Sequence, residues 1–434
     1  MSDEFQVGAA SVNISPDRPE LLVVSGLHGP HAPARVMQGN ELYADAMAVR
    51  AGGKTAVFAT VDTGGHGYRR EIPIRKAVAE KTGIDEKCVI VTSRHNHSQW
   101  AAALDEKNPQ HVQARKVYNE KADQGMIDAC VKAVGGLRRA EIAAGTATLT
   151  EPIGQNRRAR FGHGGAMPGW GTGPIAVPGE KLAPQPGPDS TRIDFLAARE
   201  VGKTQPFAVL TSYATHVHLG ATSTFNGEFP GGVRSAMAKR IPGVTVVYAN
   251  STGGDVDLHC VHPIPPGGWD ARLRWYAESL ELLGSRFADA VVGAMPKLRY
   301  FRPARIRHEY FSTEGQDERR TRLYIVNGVA MGDAAVVSIP AELFNELGLK
   351  IHAASPFKHL LLMGYNGSGR LGYVGTPLSY EQGGYEIARG PAPSPAEEQR
   401  MIDAKIENRT IGRARANTGM EIVEKVGQVL KRLA

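Results

Sequence analysis

The chain of 434 residues has only three cysteines, Cys88, Cys130 and Cys260. So few thiols, and an odd number of them, exclude a disulfide scaffold and lead us to expect a reducing compartment. No stretch approaches the roughly 18 consecutive apolar residues of a membrane-spanning helix. The opening Met1-Ser-Asp-Glu-Phe-Gln6 has neither the basic start nor the apolar core of a secretory signal, so a cytoplasmic location is expected. Excess charge of one sign is also scarce. A net charge of +7 spread over this length, with no recognition motif and no interleaving of aromatic and basic residues, predicts no nucleic-acid partner. No internal repeat and no clean linker divides the sequence.

Glycine is abundant, with 50 residues against the roughly 30 expected at an average share of about 7%. Together with 27 prolines it implies many tight turns and irregular loops. Residues 161–190 hold eight glycines and six prolines and read as a lid or binding loop rather than a regular element. Elsewhere, short apolar runs rich in β-branched residues recur at 56–61, 88–92, 207–210, 244–248, 334–339 and 359–363, each the length of a buried strand. Helical patterns lie between or after them, at 74–82, 269–295 and 420–433. The expected class is α/β in the mixed α+β sense: a central mixed sheet covered by helices, with the active site at the C-terminal ends of strands.

Each run is followed by polar or ligating residues. Asp62 and Thr63 follow the first, and Ser93-Arg-His-Asn-His97 follows the second. His216 and His218 follow the third, Asn250, Ser251 and Gly253-Gly-Asp255 the fourth, and Glu342 the fifth. Ligands in open α/β sheets bind beyond strand ends, so this recurrence points to one shared site. Imidazole is the commonest metal ligand near neutral pH, and a catalytic zinc takes three protein ligands and leaves one position open. Two His-x-His pairs with Glu342 available therefore predict a metal site. Within each pair, both rings bind, or one binds while the other faces substrate. Other motifs carry less. His259-Cys-Val-His262 lacks paired Cys-x-x-Cys spacing, and the Gly-rich run 367–372 does not open a helix. Asn156-Arg-Arg-Ala-Arg160 is either a solvated loop or an anion contact near the cleft.

In order along the chain, Val12-Asn-Ile-Ser-Pro16, Thr60-Val-Asp-Thr63, Val91-Thr-Ser-Arg-His-Asn-His-Ser98, Tyr213-Ala-Thr-His216, Ser251-Thr-Gly-Gly-Asp-Val256, Pro340-Ala-Glu342, Gly372-Tyr-Val-Gly-Thr-Pro377, Tyr380-Glu381 and Tyr385-Glu386 follow one another. The series resembles the catalytic domain of the neutral/alkaline, non-lysosomal ceramidases, over nearly the whole chain. The resemblance implies one zinc ion per chain, with His95, His216, Glu342 and Tyr373 as metal ligands. It also implies that His97 and Arg157 face the substrate and that Tyr385 helps polarise the carbonyl.

The departures are specific. Asp257 stands where the family carries a serine in Gly-Asp-Val-Ser-Pro-Asn, and it cannot play a hydroxyl's role. The chain is expected to be a single catalytic domain over 1–434, without the family's C-terminal β-sandwich. The expected function is zinc-dependent hydrolysis of a linear N-acyl amide, with His97 or Asp257 handling protons and Arg157 and Tyr385 stabilising the oxyanion. The partner is a small-molecule substrate, N-acylated or lipid-like, and not membrane ceramide. A zinc-dependent esterase, lactonase or cyclic amidase, and a non-catalytic binding protein on the same scaffold, are the alternatives.

Overall fold

The computed structural model describes residues 4–24, 33–64, 68–99, 101–160, 166–168, 183–184, 187–219, 224–258, 269–313, 325–366, 371–382, 386 and 416–434. Its frame is one mixed sheet of 12 strands. From edge to edge these are Thr245–Asn250, Pro206–Tyr213, Arg192–Glu200, Arg138–Thr148, Gln6–Asn13, Tyr43–Ala51, Lys54–Val61, Val89–Ser93, His359–Asn366, Ala334–Pro340, Ile325–Met331 and Arg307–Ser312. Three neighbouring pairs run parallel: 206–213 with 245–250, 54–61 with 89–93, and 334–340 with 359–366.

The apolar runs are continuous because these strands are buried on both faces. Along Thr245–Asn250, Val246 and Tyr248 join one apolar cluster, whereas Val247 and Ala249 join another. Along His359–Asn366, Leu360 and Leu362 face one way, and Leu361 and Met363 the other. The shared inner cluster contains Leu210 and Val247 from one edge, Phe58 and Val91 from the middle, and Val336 and Leu361 from the far half. The sheet therefore folds back on itself into two facing layers. Polar stitches cross between them: the Thr60 hydroxyl donates to the Tyr248 carbonyl at 2.8 Å, and the Ser212 hydroxyl to the Leu362 carbonyl at 2.5 Å.

Helices cover the outer faces. Pro109–Gly135 lays Met126, Ala129 and Ala133 on the first strands. Glu228–Arg240 and Trp269–Ala294 cover the 192–250 half, through Phe229, Val233, Leu283 and Phe287. Asn345–Ala354 and Thr418–Leu433 cover the 325–366 half. Among the described residues, no helix is long and apolar enough to cross a membrane. Within 161–190, Ala166–Pro168 and Ala183–Pro184 are short strands that flank Arg158–Arg160, so that stretch is not wholly irregular. The rest of 161–186 lies outside the described residues, and so does the lid expected there.

One buried charge joins the layers. Arg94, fully buried, pairs with Asp45 and with Asp62 at 2.9 Å, and donates to the Tyr248 and Tyr43 carbonyls at 2.9 and 3.0 Å. Arg234 reaches Asp62 at 2.9 Å as well. Arg94 immediately precedes His95, so the network that closes the two layers also anchors the first element of the site.

Candidate active site

Three side chains from three strand ends converge. His95 follows Val89–Ser93, His216 follows Pro206–Tyr213, and Glu342 follows Ala334–Pro340. His95 Nε2 lies 3.2 Å from Glu342 Oε2, and His216 Nε2 lies 3.4 Å from the same oxygen. Their ligand atoms all fall within 4.8 Å of one another. Tyr373 pairs with Glu342 across a short parallel ladder and brings its hydroxyl to 3.3 Å from His216 Nε2.

The neighbouring carbonyls set the tautomers of the two rings. His95 Nδ1 faces the Gly64 carbonyl at 2.7 Å, and His216 Nδ1 faces the carbonyls of Gly253 and Val256 at 2.9 and 3.1 Å. A carbonyl only accepts, so each Nδ1 carries a hydrogen, and each ring in its neutral form turns the Nε2 lone pair inward, the form a metal binds. Glu342 Oε2 is buried and faces both Nε2 atoms. Two imidazole nitrogens and one carboxylate oxygen, with a phenol beside them, form a donor set that a divalent cation satisfies, and mixed N and O ligands suit zinc. Burial works against charge on His95, but Glu342 outweighs it and raises that imidazole above its ordinary value. Burial likewise opposes the charge on Glu342, yet the two imidazoles hold its carboxyl well below the usual range. His216 is lowered, by burial and then by Arg157.

The backbone is bent to make this convergence. Non-glycine residues with positive φ among the described residues are His95 (54°), Glu228 (47°), Ala341 (71°) and Tyr365 (60°). His95 is a candidate ligand and Ala341 precedes another. Tyr365 stacks on His95 with ring centroids 4.8 Å apart, and Glu228 accepts the His97 amide hydrogen at 3.0 Å. Strain of this kind gathers at functional sites. Gly254 serves the same crowding: a Cβ there would lie 2.2 Å from the Glu342 carbonyl oxygen.

The other expected residues line the same space. His97 stands edge-on to His95 at 4.7 Å and stacks on His218 at 4.3 Å. Burial and the neighbouring imidazoles hold His97 well below its ordinary value, and burial takes His218 down to about 3, so both rings are neutral. In each His-x-His pair, therefore, one ring joins the His95–His216–Glu342 cluster and the other packs against its counterpart. Arg157 is buried and clamped by carboxylates: its Nη1 donates to Asp257 at 2.9 Å, its Nε to Glu386 at 2.8 Å, and its Nη2 to the Gly254 carbonyl at 3.1 Å. Glu386 also receives Arg158 Nη1 at 3.0 Å. Asp257 lies 3.9 Å from His216 Nδ1. Burial would raise Asp257, but Arg157 and the two histidines lower it, so it is an ionised carboxylate. Tyr385 and the His259–His262 motif lie outside the described residues.

Sequence reasoning missed Tyr365, Glu228 and the function of Glu386. Glu386 had a local signal, as it follows Tyr385 in one of the matched motifs. Tyr365 and Glu228 had none, because only the folded backbone brings them to the site.

No protein-family model matches the chain, and no curated protein matches it in sequence. Solved structures do match. A ceramidase complexed with C2 superposes with a TM-score of 0.71 at 11% identity, covering 100% of this chain and 76% of that one. The neutral ceramidase from Pseudomonas aeruginosa gives 0.66 at 11%, covering 100% of this chain and 75% of that one. At this identity the likeness concerns the fold, and the fold is that of the neutral ceramidases.

Proposed function

We propose that this chain, built on the neutral ceramidase fold, is a zinc-dependent hydrolase of linear N-acyl amides. The observation that carries the reading is the convergence of His95 Nε2, His216 Nε2 and a Glu342 carboxylate oxygen from three strand ends, all within 4.8 Å of one another. The proposed ligands are these three and Tyr373, holding one zinc per chain. When bound there, zinc supplies a water acidic enough to attack a carbonyl near neutral pH.

The protein's own groups do the rest. His97, neutral and beside His95, takes a proton from the attacking water and returns it to the departing amine. Arg157 faces the Tyr373 phenol and, with Tyr385, sets positive charge and a hydrogen-bond donor beside the carbonyl oxygen as it becomes an oxyanion. Asp257 holds Arg157 in that position and adds negative charge where the ceramidases carry a serine. A charged carboxylate in the cleft favours a soluble N-acylated substrate over membrane ceramide. The proposed unit is one catalytic domain.

The test is turnover of the purified full chain on matched amide and ester probes of short and medium acyl length, with metal analysis. Stoichiometric zinc, amide cleavage abolished by a chelator and recovery on zinc addition support the reading. A protein that takes up no metal sinks it, and so does one that cleaves the esters and leaves every amide intact.

A further inference from the structure

We infer that the Tyr365 hydroxyl is a ligand-binding group of this site, donating a hydrogen bond to the acyl oxygen of the substrate and to the carboxylate of its product. The inference rests on the amide-hydrolase reading for the identity of the ligand, and on geometry for the role of the hydroxyl.

Tyr365 is 6% exposed and lies near the end of the strand His359–Asn366. The next residue, Asn366, pairs with Thr92 on the strand that leads to His95, and its side chain donates to the Ser338 hydroxyl and the Ile325 carbonyl, each at 2.8 Å. On the other side, a Cβ at Gly364 would lie 2.3 Å from the Ser251 carbonyl oxygen, so the chain is pressed against the strand end beside it. Between these two fixed points Tyr365 takes φ 60°, a left-handed conformation that is strained for a bulky residue. The ring thereby stacks on His95, 23° from parallel, and meets His216 edge-on with centroids 6.4 Å apart. Glu342, Tyr373, Arg157 and Tyr248 act electrostatically on its phenol.

That hydroxyl is buried and, among the described residues, has no hydrogen-bond partner. Ring packing explains the ring and would be served equally by phenylalanine. It does not explain a desolvated O–H held in a strained conformation beside a pole of acceptors. A buried hydroxyl is ordinarily satisfied, and an orphan calls for a partner that arrives from outside the protein. At this position the partner is an oxygen of the ligand seated at the His95–His216–Glu342 pole. Acyl transfer places such an oxygen there in both substrate and product.

The conservative variant Tyr365→Phe isolates the hydroxyl. In the metal-free protein it unfolds at the same temperature as wild type or higher, because no hydrogen bond to a described residue is lost. In calorimetric titrations with acetate, the smallest product analogue, run on zinc-loaded protein, its affinity falls about tenfold to a hundredfold while zinc stoichiometry is unchanged. A metal-free variant that unfolds several degrees earlier shows that the hydroxyl already serves the fold and overturns the inference. Wild-type acetate affinity in Tyr365→Phe overturns it as well. If the amide probes fail but acetate still distinguishes the two proteins, the reaction assigned above falls and the hydroxyl's role stands.

Discussion

Glu342 faces Tyr373 across a parallel ladder two residues long, with Leu343 opposite Val374. The ladder is too short to stabilise much by itself. It fixes a carboxylate and a phenol side by side, on the two sides of His216 Nε2, at 3.4 and 3.3 Å. Glu342→Gln keeps the shape and removes the charge that balances a divalent cation. It is expected to weaken zinc binding by more than the roughly 10–100-fold that an outer partner of a metal site is worth. Tyr373→Phe is expected to weaken it less, because the two imidazoles and the carboxylate remain. Competition against a chromogenic chelator measures both, and the opposite order would place the phenol above the carboxylate in the site.

Arg157 and Arg158 share Glu386, whose side chain is fully buried. Breaking a buried ion pair from one side costs about 3–5 kcal/mol, because the other charge is left uncompensated. Glu386→Ala leaves two cations in that position, so a stability loss of that order is expected in urea denaturation. Asp257→Asn removes a carboxylate that is 17% exposed, and Arg157 keeps Glu386. Its effect should appear in kcat/KM on amide probes rather than in stability. If Asp257→Asn lost as much stability as Glu386→Ala, Asp257 would be a structural partner and no part of the substrate cleft.

Arg94 compensates Asp45 and Asp62, all three side chains fully buried, and it joins facing layers of the sheet. Arg94→Met removes the cation and keeps much of the volume. A loss of about 3–5 kcal/mol is expected. Adding Asp45→Asn and Asp62→Asn to Arg94→Met should recover part of it, since two buried carboxylates are otherwise left to Arg234 alone. Stability that is lost additively over the three substitutions would contradict a coupled network.

The legible and illegible parts of the fold differ in physical kind. Val244 to Tyr248 and Ala334 to Ile339 are readable as strands because burial on both faces leaves them nearly continuous apolar runs with no charged residue. The strand Arg138–Thr148 is not readable, as it opens on Arg-Arg and has one β-branched aliphatic, Ile142, among four alanines. The helix Glu228–Arg240 begins Glu-Phe-Pro-Gly-Gly, a composition that locally favours a turn, and packing of Phe229 and Val233 overrides it. His95, His216 and Glu342 stood out because a strand end fixes where a ligating side chain can go. Which histidine of each pair joins the cluster depends on the left-handed turn at His95 and on carbonyls far away in sequence, at Gly64, Gly253 and Val256. The same holds for Tyr365 and Glu228, whose roles follow from backbone conformation rather than residue type.

Glu228 gives the fold a predictable response to pH. Its carboxylate is fully buried beneath His97, accepting from the His97 amide at 3.0 Å and the Ser98 hydroxyl at 2.8 Å. Burial outweighs those bonds and pushes the carboxyl from 4.5 up to about 7. A carboxyl with a raised value in the native state binds its proton more tightly when folded. Its contribution to stability is therefore full below about 4.5 and is lost as pH rises through about 7. Above that range the folded protein carries a buried anion, at a cost on the order of 3 kcal/mol. Glu228→Gln removes the anion and keeps both partners, since the amide oxygen accepts from His97 and the amide nitrogen donates to Ser98. Urea denaturation at pH 5 and pH 8 should find the variant close to wild type at the lower pH and more stable at the higher one. A variant that is less stable than wild type at pH 8 would mean that the charged hydrogen bonds outweigh desolvation, and that Glu228 is ionised throughout.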